Sequence, residues 1–487
     1  MSSRAAPSTP PTTTPPRQLP FARVAALPTG ALLLGAGGGF VLASVLTLTR
    51  ALRVPLGPWW PVLAQAHGHL QVYGWAGLFV LGVALHFLPR LRGAPLAYPA
   101  LIPWLLGSIV SGLLLRALCQ PLIAAQGAGI WRVGLVAGGL LECLGVGLAL
   151  VMLSATARRG VPMVDRPALW SVLPFMACSL VTLGLAALAN LLGVVLAAGA
   201  PTGAVPPALD ELSVTLGLLG FLAPMALAMS ARALPMYAGL DAFPKRTIWP
   251  AAFTYTAGLA LAALGALGGA AVGTWSGVAH GLGLALIGAV LVAYVAIFTR
   301  LMRTRGRLPQ RVSQLAPAPE AAAVRYRAQV SAERSAYGPF VALVASAYLW
   351  AMLGGALYTL DGVAEALGFA PPLNVDAARH SLAVGFIALL ICGVAPRMLP
   401  GFSGGRIRSA RLVTATLWLG NGAALLRVGP LLAAPVLAAL GPAGVAAGAL
   451  AFGLSGPTGL ALAIILAVNL WPALWPRRAA TASPAEV

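Results

Sequence analysis

The chain has 487 residues, 59% of them hydrophobic and only 9% charged, more apolar surface than a water-soluble domain hides from solvent. Its net charge of +20 is mostly arginine placed between apolar blocks rather than along one face, a distribution that sets membrane topology and argues against a nucleic-acid partner. The four cysteines, Cys119, Cys143, Cys178 and Cys392, are scattered without a CxxC pair, which argues against a disulfide framework or a thiolate metal site.

Residues 1–23 are rich in Pro, Thr and Ser, contain Arg4, Arg17 and Arg23, and have no early apolar run. They read as a disordered cytoplasmic tail rather than a cleavable signal. Apolar segments follow at about 29–49, 62–88, 98–118, 130–155, 168–198, 211–236, 249–268, 274–299, 339–358, 377–399, 411–427 and 441–475. Each is near the roughly 20 residues a helix needs to cross hydrocarbon. Gly453, Ser455, Gly456 and Pro457 interrupt the last block, so it is either one broken helix or two. Charge arbitrates. With the N-terminus inside and twelve spans, every Lys and Arg falls inside except Arg50, Arg53, Arg116, Arg132, Arg379 and Arg427, in accord with the positive-inside rule. A thirteenth span would carry Arg477 and Arg478 outside. The basic stretch from Arg300 to Arg334 becomes an inner loop, and residues 479–487 a second disordered tail.

A repeat runs through this pattern. Span 2 ends in Leu88-Pro89, span 6 in Leu234-Pro235 and span 10 in Leu399-Pro400. Superposing the prolines puts His69, Thr215 and His380 at one register. Leu114-Leu115-Arg116 echoes Leu425-Leu426-Arg427 at the ends of spans 3 and 11. The expected fold is therefore all-α: a polytopic membrane domain over 24–478, with about twelve helices in a pseudo-threefold arrangement. Its three four-helix units cover roughly 24–160, 165–310 and 335–478.

Ionisable groups inside a bilayer are expensive and mark sites, and the five histidines, His67, His69, His86, His280 and His380, all lie in or beside apolar blocks. His69 and His380 open corresponding spans at equal depth. Two imidazoles on separate helices can ligate one haem iron from opposite faces. Without a CxxCH the haem is a non-covalent b-type. Its propionates need cations, for which Arg116, Arg379 and Arg427 are best placed and Arg50, Arg53 and Arg132 less so. His67 lies two residues from His69, about 200° around the helix, so it faces another partner. His280 in span 8 is a candidate, and two imidazoles suit copper. His86, about 25 Å below His69 by helical rise, reads as interfacial. Glu142, the acid deep in span 4, is either a proton relay or substrate contact, or a neutral packing residue.

His67-Gly-His69-Leu-Gln-Val-Tyr-Gly74 resembles the His-x-His motif of the NnrS family, bacterial haem- and copper-containing membrane proteins linked to nitric-oxide metabolism and denitrification. His380-Ser-Leu-Ala-Val-Gly385, Gly393-Val-Ala-Pro-Arg397, Gly401-Phe-Ser-Gly-Gly405 and Arg232-Ala-Leu-Pro235 are similar to other segments of that family. The family usually has an acid after the second histidine, where this chain has Leu70. More distantly, three four-helix units with histidines on spans 2 and 10 resemble subunit I of haem-copper oxidases and nitric-oxide reductases, whose low-spin haem ligands map onto His69 and His380. The ligands of that superfamily's binuclear centre are missing. Ala378 stands where the high-spin haem ligand would be, span 6 offers Ser213 and Thr215, and span 7 has no His-His pair. The resemblance implies a bacterial cytoplasmic membrane protein with cytoplasmic termini. It would hold haem, meet nitric oxide or a redox partner in the lipid bilayer, and lack oxidase-type catalysis. The rival functions are a secondary transporter, which Glu142 and the break near Ser455 keep open, and a respiratory reductase.

Overall fold

A computed structural model describes residues 20–476 except 128, 166, 269–273, 304, 306, 308–312 and 315. Residues 1–19 and 477–487, which take in most of the first expected tail and all of the second, lie outside the described residues. Where the chain enters view it is already packed: Phe21–Arg23 form a short 3-10 turn with Phe21 buried, so the expected tail ends earlier than residue 23.

Eleven described helices are long and apolar enough to cross a membrane. They are span 1 (Ala26–Ala51), span 2 (Trp59–Arg92), span 3 (Pro99–Gln126), span 4 (Gly129–Arg158), span 5 (Leu173–Gly199), span 6 (Pro207–Ala238), span 7 (Lys245–Gly268), span 8 (Trp275–Arg303), span 9 (Phe340–Ala366), span 10 (Val375–Ser403) and span 12 (Gly441–Leu474). Span 11, Ala410–Leu432, packs between spans 10 and 12 but carries Arg411, Asn421 and Arg427, which lower its apolarity. Every apolar block of the sequence is thus one helix.

The repeat sets the architecture. The most apolar stretches of spans 2, 6 and 10 are 78%, 83% and 78% buried, against 33–61% for the other eight, so these three form the inner ring. Each contains one widened π-helical stretch, Leu70–Gly77, Thr215–Leu222 and Ser381–Ala388, and these stretches touch one another. Each helix has its proline, Pro89, Pro235 or Pro400, in the last turns and stops four residues later. The stop is a left-handed glycine: Gly93, Gly239 or Gly404 (φ 64°, 64° and 72°), a conformation that costs other residues a Cβ clash.

Two sequence expectations change. Span 12 is one continuous helix through Gly453–Pro457. Those small residues form a face rather than a break: a Cβ at Gly456 would lie 2.6 Å from Ser44 Cα, and Gly459 faces Phe40. Thr47 Oγ1 donates to the Gly453 carbonyl at 3.0 Å. Small residues let span 12 approach span 1 closely, which is what drives helix association in lipid. The basic loop between spans 8 and 9 is also partly helical. Pro319–Tyr337 is a 19-residue helix with no buried residue, laid across the proline ends of spans 6 and 10. Tyr326 donates to the Gly239 carbonyl at 3.1 Å, and Glu333 pairs with Arg397 at 2.7 Å.

Candidate functional site

The first turns of span 2 place two imidazoles on opposite faces. His69 turns into the first four-helix unit, where its Nε2 meets Glu142 Oε2 of span 4 at 2.5 Å. Asn190 of span 5 donates to the same oxygen at 3.2 Å. Arg116 of span 3 donates to the side-chain Oδ1 of Asn190 and to Oε1 of Gln120. Gln120 then donates to Gln65 at 2.6 Å, and Gln65 closes on the backbone of Val205. His69, Glu142 and Arg116 are 6%, 5% and 3% exposed. Groups so deep are tolerable only when partnered, and the bridging amide and imidazole supply partners to Arg116 and to one Glu142 oxygen. His69, Tyr73, Glu142 and Asn190 line a cavity of about 20 Å³, about one water in size. Glu142 Oε1 is buried there without a partner among the described residues.

His67 turns the other way, into the third unit. Its Nδ1 donates to the Gly39 carbonyl of span 1 at 2.9 Å. The ring lies within electrostatic reach of His380, Asp376 and Arg427. His380 is held in the same manner: Nδ1 contacts the Asp376 carbonyl at 3.0 Å and its carboxylate Oδ1 at 2.9 Å. Neither Nε2 has a hydrogen-bond partner among the described residues. Asp376 Oδ2 accepts from Arg427 at 2.5 Å, while Arg427 Nε is buried with no partner among the described residues. The guanidinium groups of Arg427 and Arg50 lie 4.3 and 5.3 Å from the centre of the Phe452 ring.

In the second unit Arg379 pairs with Glu211. His280 Nδ1 bonds Glu365 at 2.9 Å, and its Nε2 is buried without a partner among the described residues. His86, expected at the interface, is 3% exposed; it packs between Phe21 (ring centres 5.1 Å apart) and Phe402 (4.3 Å), with Arg90 on its Nδ1.

These placements rearrange the expected site. The sequence pairs His69 with His380, whereas His69 spends its Nε2 on Glu142 and His67 is the imidazole that shares surroundings with His380. The reason is the two-residue spacing, which turns adjacent histidines to opposite faces. Of the three arginines expected near the site, Arg427 lies beside His380, Arg116 belongs to the Glu142 network, and Arg379 turns to Glu211. His67 and His280, expected to share copper, sit among different charged groups. Among the described residues no three His, Cys, Asp or Glu side chains gather as a metal-ligand set. Sequence reasoning missed Asp376, although its position four residues before His380 puts both on one helix face. It also missed Gly39, Asn190 and the two glutamines, which carry no sequence signal of their own.

The His67–His380 arrangement has the features of a metal-ligand pair: Nδ1 bound to a carbonyl or carboxylate, which fixes the tautomer and leaves Nε2 open. Beside it an unsatisfied guanidinium donor is poised for a carboxylate. Imidazole and guanidinium are the residue types that would hold a non-covalent haem and its carboxylates.

Neither family models nor curated proteins match the chain. Among solved structures it is similar to a haem-copper terminal oxidase determined as a dimer by cryo-EM. The TM-score is 0.60 at 13% identity, over 94% of this chain and 84% of that one. An identity that low speaks to architecture alone, and the architecture is plain: this chain is an all-α polytopic membrane protein with the fold of a haem-copper terminal oxidase.

Proposed function

We propose that the third unit holds a b-type haem between His67 of span 2 and His380 of span 10, with Arg427, and Arg50 beside it, facing the propionates. The observation that carries this reading is the matched anchoring of the two rings through Nδ1 with both Nε2 atoms open. A haem with two imidazole ligands is six-coordinate and supplies one-electron transfer. The chain's own residues set its surroundings. The Gly39 carbonyl and Asp376 orient the rings, and Asp376 also holds Arg427 in place. Haem is the cofactor that the similar terminal oxidase carries by name, and the shared fold supports the same class of group here.

The resemblance to the NnrS family gives the physiological setting: an NnrS-like protein of the bacterial cytoplasmic membrane that handles nitric oxide, or passes electrons in response to it. The resemblance to haem-copper oxidases puts Ala378, and the region of Ser213 and Thr215, where a binuclear centre has its ligands, which argues against a terminal reductase.

The purified protein, made in haem-replete cells, should give the reduced-minus-oxidised spectrum of low-spin haem b. A colourless preparation would sink the proposal.

A further inference from the structure

Spans 2, 6 and 10 do not close on one another along their whole length. Towards their proline ends they line a partly open cavity of about 100 Å³. Counted back from Pro89, Pro235 and Pro400, the three helices line it with the same register positions. Ten residues back stand Phe79, Met225 and Leu390; six back stand Val83, Met229 and Val394. Positions nine and five residues back line it in all three helices as well. Offsets of one, four and five residues mark a single helix face, so each repeat presents the equivalent face and the cavity lies on the pseudo-threefold axis. It is a product of the repeat rather than a packing accident at one place.

Its chemistry is nearly uniform. Ser230 is the one polar side chain among the described residues lining it, and none of the lining residues is exposed. Helical backbone groups are already paired within their helices. A water there would lack the two to four polar partners that hold water in a protein interior. Apolar cavities of comparable size, about 150 Å³, stay dry and take up benzene or xenon.

We infer that the axial cavity is a dry binding site for small non-polar molecules of the size of dissolved diatomic gases. The bilayer concentrates such molecules, and the cavity offers them contacts without competing water. This inference does not depend on the haem proposal, since it rests on a different part of the bundle.

Crystals of the full chain pressurised with xenon test it. The expected result is an anomalous peak enclosed by Val83, Met229 and Val394 that disappears in Ala395→Leu, which fills the space. Should Ala395→Leu fail to fold, Val83→Phe removes the same volume from another helix, with the same loss expected. Xenon absent from the axis, or ordered water or an acyl chain there in the wild type, overturns the inference.

Discussion

Exchanging the roles of the two histidines in span 2 is the sharpest test of the site. A helix with its side chains is about 10–12 Å across, and residues two apart point about 200° from each other. The rings of His67 and His69 therefore emerge on opposite sides of span 2, one against the Gly39 carbonyl and the other against Glu142. Imidazole–metal bonds are near 2 Å, so a displacement approaching the width of a helix cannot be absorbed by ring rotation. At most one of the two reaches an iron bound by His380. His67→Ala and His380→Ala should each abolish the low-spin spectrum and cost more haem than loss of an outer partner, which is about 10–100-fold. His69→Gln, chosen to keep a donor for Glu142, should retain haem at wild-type stoichiometry. The assay is haem per mole of protein by pyridine haemochrome, with the difference spectrum recorded alongside. If His69→Gln empties the protein while His67→Ala leaves it red, the assignment of faces is refuted and the pair becomes His69 with His380.

Three further outcomes follow from the same contacts. Asp376→Asn weakens the acceptor on His380 and should lower haem affinity about 10–100-fold, read by haem transfer to an apo-globin acceptor. Arg427→Ala should release haem faster than Arg427→Lys in that assay, because lysine keeps the charge and loses only the fork of donors; equal rates would mean no carboxylate sits there. Gly456→Leu inserts a side chain where even a Cβ would lie 2.6 Å from Ser44 Cα. Overpacking of this kind costs about 1–3 kcal/mol, and thermal unfolding in detergent should show the loss.

How much was legible beforehand depends on which physical signal each feature leaves. The spans were readable because a bilayer demands long apolar runs, and the inner ring because Pro89, Pro235 and Pro400 repeat at one register. The register also singles out His380 as a candidate. The face taken by a side chain was not readable. His67 and His69 lie two residues, about 200°, apart on the helix, and nothing in the run Gln65-Ala-His-Gly-His69 says which neighbour each meets. The answer lies in residues far along the chain: Gly39 offers a carbonyl, and Glu142 with Asn190 offers a polar pocket. The expected break in span 12 failed for a related reason. Gly453, Gly456 and Pro457 look like punctuation in isolation and become a packing surface only when Ser44 and Thr47 of span 1 lie against them.

The His-Gly-His step of span 2 also divides the molecule into chambers. Span 2 borders both the first unit and the third, so one residue pair gives each unit its own imidazole: His69 with Glu142 and Arg116, His67 with His380 and Arg427. If the chambers are separate, perturbing one should leave the other's chemistry alone, since sites without shared partners add independently. Glu142→Ala is the decisive perturbation. It strips the buried Arg116 network of its carboxylate, and breaking a buried ionic network by removing one partner costs about 3–5 kcal/mol. The melting temperature should fall accordingly, and Glu142→Gln, which keeps acceptor and shape, should fall less. The position of the haem absorption bands, and the haem's midpoint potential in whatever protein remains folded, should not move in either variant. A shift of the potential in Glu142→Gln would mean that the two imidazoles of span 2 report to one site, and the two-chamber arrangement would have to be abandoned.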